Sequence, residues 1–433
     1  MVPCLPRPYV KHLLSLAAAV LCCGCAREPE LIQGAPEEVL PVQSGGPAWP
    51  RFHGLDGCNV STEKGLLRQW PEGGPALLWT AKGIGQGYAG VTVAGSRLFT
   101  AGNRGSHTVL SALDTNGTVV WQATNGPAWT KEYPGTRGTP TVDGDRVYHE
   151  SPSGRVACWN VADGSEAWSV NILDQFEGKN IQWGLSESLL VDGDRVICCP
   201  GARQASVAAL DKRSGATVWA APDSGDRAGY AAPVLVTWEG RRMVLAMTSA
   251  ALIAVDANSG ELLFRHEHAT EYDVNATMPV YRDGKILISS GYGSGAELLA
   301  LRADGAAVSV EPVWKSDDLD NHHGGIALLG DHVYGCSHHG KWVCLEWAKG
   351  RSTYAERGVG KGSLTIADGM LYMLSEKGQV GLAVAEPAGL RLVGKFSLPT
   401  AGEDFVWAHP VVCGGRLYVR HGDRLYAYDV RDP

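Results

Sequence analysis

Apolar and polar positions alternate along most of the chain in short runs, and one phrase returns: two or three apolar residues, a tight turn holding Gly, then another apolar run. Val91-Thr-Val-Ala-Gly-Ser-Arg-Leu-Phe99 and Thr141-Val-Asp-Gly-Asp-Arg-Val-Tyr148 are clear cases. The turn glycines fall at Gly95, Gly144, Gly193, Gly240, Gly284, Gly330, Gly369 and Gly415, a period of about 46 residues. A second phrase follows each glycine, as Ala112-Leu-Asp-Thr-Asn-Gly-Thr-Val-Val-Trp121, Trp159 to Trp168, Ala209 to Trp219 and Ala254 to Phe264. Later copies decay, and the last stops at Ala427-Tyr-Asp near the chain end. Period-two runs joined by Asp/Gly turns predict hairpins. Each unit thus carries about four short strands, with no 3.6-residue period.

A lone four-stranded sheet cannot bury both faces, but copies arranged around an axis can. The expectation is all-β: an eight-bladed β-propeller of four-stranded antiparallel blades over residues 47–433. The final unit lacks its outermost, Trp-bearing strand. Ala76-Leu-Leu-Trp-Thr-Ala81 has that pattern at the front of the ring, so the N-terminal strand is expected to complete the last blade.

Composition agrees with this reading. The 433 residues include 55 Gly and 14 Trp against 6 Phe and 6 Met, and 44% are hydrophobic, enough for a core. A formal charge of −8 argues against nucleic-acid partners, which need a basic surface.

The first residues read as an address. Arg7 and Lys11 precede an apolar run from Leu13 to Cys23, too short for a bilayer span of about 20 residues but right for a signal-peptide core. Leu21-Cys22-Cys23-Gly24-Cys25 is similar to a bacterial lipobox, which makes Cys25 the lipidation candidate after a leader at 1–24, with Cys22 and Cys23 as alternatives. Residues 25–46 are Pro-, Glu- and Gly-rich, a flexible tether able to span roughly 70 Å. The remaining cysteines (58, 158, 198, 199, 336, 344 and 413) are odd in number and sit mostly in strand patterns, so they read as packed thiols. Cys336 and Cys344 lie symmetrically in a hairpin and are the pair with an opportunity to face each other.

The phrase A-x-D-x-x-x-G-x-x-x-W resembles the tryptophan-docking repeat of pyrroloquinoline-quinone-type propellers, over residues 47 to about 430. Trp49-Pro-Arg-Phe-His-Gly-Leu-Asp-Gly57 and His322-His-Gly-Gly325 resemble its planctomycete-type branch. The architecture also resembles the lipoprotein scaffold of the outer-membrane assembly machinery. The resemblance implies that each Trp packs against the next blade.

Propellers offer ligands their axial opening, lined by loops leading into the innermost strands. Those loops carry Tyr88, Arg137, Trp183 with Glu187, Tyr230, Asn275, Asn321 with His322 and His323, Lys361, and Trp407 with His409. Convergent polar and aromatic groups above an apolar wall suit a ligand; equally, they could plug the axis. For the dehydrogenases of the resembled family, pyrroloquinoline quinone with calcium is the implied cofactor. Glu187 and Asn275 would be the calcium ligands, Trp183 or Trp407 the stacking ring and Asp273 the base. Carboxylates are too few for calcium's six to eight oxygens, and no haem attachment motif exists. His266-x-His268, His322-His323 and His338-His339 are pairs without a third ligand, so no metal is expected. The expected function is a non-catalytic, membrane-anchored extracytoplasmic platform, monomeric and without cofactor. It would bind an envelope protein, peptide or glycan at its axial face. A quinoprotein-like dehydrogenase and a non-redox small-molecule binder are the alternatives.

Overall fold

The computed structural model describes residues 31–32 and 48–433. The leader at 1–24, Cys25 and nearly all of the tether lie outside the described residues. The rest is an eight-bladed β-propeller. Blade 1 comprises strands Thr92–Ala94, Arg97–Arg104, His107–Asp114 and Val119–Pro127. Blades 2 to 7 begin with the innermost strands Thr141–Asp143, Leu190–Asp192, Val234–Trp238, Val280–Arg282, Ile326–Leu329 and Gly362–Ala367. All eight turn glycines have φ between 55° and 78°, the left-handed region that a two-residue hairpin demands and glycine adopts without strain.

Closure follows the expectation. Blade 8 takes Val411–Cys413, Arg416–His421 and Arg424–Asp429 from the C-terminus and Leu77–Lys82 from the front of the ring, with Leu77 opposite Tyr428 and Trp79 opposite Ala427. At the neighbouring seam the buried Arg420 guanidinium donates to the carbonyls of Gly85, Ala89 and Ala101.

The repeated Trp and Gly meet each other between blades. The indole N–H of Trp79 donates to Thr115 O (3.0 Å), Trp121 to Val161 O (3.0 Å), Trp168 to Lys212 O (2.9 Å), Trp219 to Ala257 O (3.2 Å) and Trp314 to Trp347 O (2.9 Å). In each case the acceptor lies in the second-phrase turn of the next blade. The same rings lie against Gly117, Gly164, Gly215, Gly260 and Gly350, where an added Cβ would come within 2.4–2.6 Å of an indole atom. The turn's Asp holds it open to the ring by capping backbone N–H groups, as Asp211 does for Arg213 and Ser214. Phe264 and Tyr354 stand in for Trp in blades 4 and 6, and in blade 7 the position in register is Gly394.

Two blades carry an unexpected fifth strand. Ala48–Trp49 pairs with the inner edge of blade 1, and Val60–Ser61 runs parallel to the inner strand of blade 7. Between them residues 50–59 cross the axis, tied by Pro50 O to Val142 N (2.8 Å) and by Asn59 Nδ2 to Leu364 O (2.7 Å). The described cysteines are all free. Cys336 pairs in register with Trp342 and Cys344 with Tyr334, two residues away from facing each other.

Candidate functional site

The axial segment makes a floor, and above it the loops enclose a cavity of about 230 Å³. Phe52, on the floor, stacks on His53 with ring centroids 4.1 Å apart. Eight of the residues expected at the mouth line the cavity: Tyr88, Arg137, Trp183, Tyr230, His322, His323, Trp407 and His409. Phe52, Tyr133, Ser186, Ser188 and Tyr292 join them. The other four lie elsewhere. Asn275 is fully buried, its amide donating to Thr248 O and His268 O (both 2.9 Å) while its Oδ1 accepts from Ser290. Asn321 donates to Cys336 O and accepts from Thr277, which ties blade 5 to blade 6. Glu187 faces away from its lining neighbours Ser186 and Ser188, accepting from Cys199 N (2.5 Å) beside the Glu150 carboxyl. Lys361 stands behind His322.

Two aromatic groups flank the opening. On one side Tyr88 and Tyr133 pack on Trp407 at 4.7 and 5.0 Å, and Phe405 stacks on it at 5.1 Å and 16°. On the other, Tyr272 and His338 pack on Tyr292 at 4.9 and 4.7 Å. His338 thus packs behind Tyr292 from its own hairpin tip. Tyr133 and Tyr292 have φ of 52° and 59°, which turns their side chains toward the axis from loops without any repeat signature.

The polar groups are fixed by a continuous network. Lys361 Nζ donates to His322 Nδ1 (2.9 Å), so His322 Nε2 carries the proton and donates to Tyr292 Oη (3.0 Å). That leaves the Tyr292 hydroxyl proton free. Glu376 accepts from His323 Nε2 (2.7 Å) and from Trp407 Nε1 (2.9 Å), with Lys361 Nζ 3.6 Å away. His409 Nε2 donates to His323 O (2.7 Å), so its Nδ1 accepts from His53 (3.0 Å). Burial pushes His322 and His53 well down, and His409 to about 4. Burial works to raise Glu376, but His323, Lys361 and the indole outweigh it and hold the carboxyl at about 2. At neutral pH the histidines are uncharged and the carboxylate is neutralised by the groups around it.

These residues do not fit a calcium–quinone centre. Both functions of the Asn275 amide are taken by the fold, and Glu187 turns into a carboxyl pair in which burial pushes both groups upward. Asp273 is exposed, at φ 58°, on a rim turn. Among the described residues no three His, Cys, Asp or Glu side chains come together as metal ligands.

The sequence profile of the family described as outer membrane protein assembly factor BamB matches residues 106–356. No curated protein matches the chain. Among solved structures, BamB from Moraxella catarrhalis is similar at 16% identity and TM-score 0.59, covering 82% of this chain and 98% of its own. Quinohemoprotein alcohol dehydrogenase from Comamonas testosteroni is similar at 12% identity and TM-score 0.62, covering 89% and 80%. A computationally designed protein, Ika8, is similar at 9% identity and TM-score 0.55, covering 82% and 100%. At these identities the likeness is one of fold, shared by an assembly factor, an alcohol dehydrogenase and a computationally designed protein.

Proposed function

Because the chain belongs to the propeller family described as outer membrane protein assembly factor BamB, we propose that it is a non-catalytic platform which holds a segment of an envelope protein at its axial mouth. One observation carries this reading: a floored cavity of about 230 Å³ with aromatic walls, open on one face, its histidines neutral and its carboxylate already paired. Such a cavity offers apolar area and fixed hydrogen-bond donors rather than a free base. Exposed Tyr133 and Phe405 extend the aromatic wall to the rim, where a partner would first touch. The signal-like residues 1–24 and the tether at 25–46 support export and anchoring through Cys25, which would hold the mouth clear of the membrane. Among the described residues no helix is long and apolar enough to cross one.

The test is a photoreactive amino acid at Tyr133, on the rim, or at Val313, on the outer edge of blade 5, in cells that carry the native envelope. Cross-links to one envelope protein from position 133 and none from 313 support the platform. Cross-links from 313 alone, or from neither, refute it. The dehydrogenase alternative has its own test: protein supplied with pyrroloquinoline quinone and calcium should give no dye-linked alcohol oxidation. Turnover that Glu187→Gln abolishes would replace the platform with an enzyme.

A further inference from the structure

The cavity wall contains a cation whose environment calls for an anion. Arg137 has five N–H donors, and three hydrogen bonds engage it: Nη1 to Trp183 O (3.1 Å) and Gly135 O (3.4 Å), and Nη2 to Tyr133 O (3.0 Å). These carbonyls, together with the Tyr88 ring 5.2 Å from its Cζ, fix the plane of the guanidinium. Its Nε edge is left over. Among the described residues no carboxylate lies within ion-pairing distance of Arg137; the charges that act on it besides burial are the phenols of Tyr88 and Tyr230. The nearby carboxylates are engaged elsewhere, Glu376 with Lys361 and His323, and Glu132 with the Trp183 indole.

The other polar atoms facing the cavity are mostly donors. Tyr292 has a free hydroxyl proton, as derived above. Ser188 Oγ accepts from Thr139 N, so its own proton is also available. A partly buried guanidinium with a free edge, beside surplus hydroxyl donors, is arranged for a carboxylate, which accepts two parallel N–H bonds. The cavity of about 230 Å³ has room for an aromatic side chain and the carboxylate beside it. The walls on either side are aromatic faces, which suit a flat or apolar body.

We infer that Arg137 is the recognition point for a carboxylate carried next to an aromatic or apolar side chain, so that the mouth reads an acidic chain end or an acidic side chain of its partner. This rests on the platform reading and names what that platform grips. The competing account makes Arg137 a staple joining the loops of blades 1 to 3, with no preference among ligands.

Titration calorimetry separates the two with three probes: N-acetyl-alanyl-phenylalanine, its C-terminal amide, and N-acetyl-glutamyl-phenylalanine amide. The expected result on the wild-type protein is that one or both acids bind at least tenfold more tightly than the neutral amide. Which acid is preferred identifies a chain end or a side chain as the source. Arg137→Gln should remove the preference and Arg137→Lys should keep part of it, since the ammonium retains charge but loses the paired geometry. Equal affinity of acids and amide overturns the inference while leaving the platform standing, and so does binding by none of the three when rim cross-links persist. The wild-type comparison needs no variant, so it decides the matter even if Arg137→Gln fails to fold.

Discussion

Tryptophan does two different jobs in this molecule. Around the perimeter, Trp79, Trp121, Trp168, Trp219 and Trp314 repeat one arrangement, with the indole N–H on a carbonyl of the next blade and the ring over a glycine. At the mouth nothing repeats. Trp183 donates to Glu132 and Trp407 to Glu376, and each meets a different tyrosine. The perimeter rings are satisfied by the protein itself. The mouth rings keep a face toward an open cavity. Repetition with closed contacts marks residues that build the fold, and irregularity with open contacts marks residues that face something else.

That contrast is open to measurement. The largest effect is expected at the perimeter. Trp121 is 1% exposed, so Trp121→Ala should cost about 3–5 kcal/mol in denaturant unfolding through the lost ring and the cavity left behind. A cost below about 1 kcal/mol would remove docking as the force between blades.

The next effect concerns acid. His149 and His409 are held at about 4 by burial, below the 6.5 of an unfolded chain. Between pH 6.5 and 4 the unfolded chain therefore binds more protons. Their contribution is present above pH 6.5 and is lost as pH falls toward 4, on the order of 3 kcal/mol for His149. His149→Gln should flatten that limb of the stability–pH curve; an unchanged slope would contradict the neutral assignment.

A smaller effect sharpens the comparison. Phe264 occupies the Trp position of blade 4, but the following hairpin is long and nothing lies within 4 Å of a Cβ placed at Gly305. Phe264→Trp should then change stability by less than about 1 kcal/mol, since no turn waits beneath the new indole. A gain comparable to the loss in Trp121→Ala would show that docking needs only the ring.

The perimeter was legible in the sequence because both partners of each contact are periodic: a Gly five or six residues after Ala112 or Ala254 has a reason to recur. The closing strand was legible too, since Leu77–Lys82 carries the pattern missing after Asp429. The floor was not. Two-residue strands and a crossing segment have no period, and the resemblance of residues 49–57 to related chains gave no position. At the mouth, the loops were legible but not always the side chain within them. Asn275 and Asn321 were read as facing the axis, yet both turn into the body, where their amides satisfy backbone carbonyls. Tyr292 sits in a turn with no repeat signature, and its left-handed backbone carries the ring over His322.

The most direct measurement pairs unfolding with partner cross-linking in the double variant Tyr230→Ala, Trp407→Ala. If these rings form a binding mouth, unfolding stability stays within about 1 kcal/mol of wild type, as for part-exposed side chains, and the rim cross-link at position 133 is lost. Stability falling by several kcal/mol with the cross-link retained would make them a plug of the axis and contradict the account.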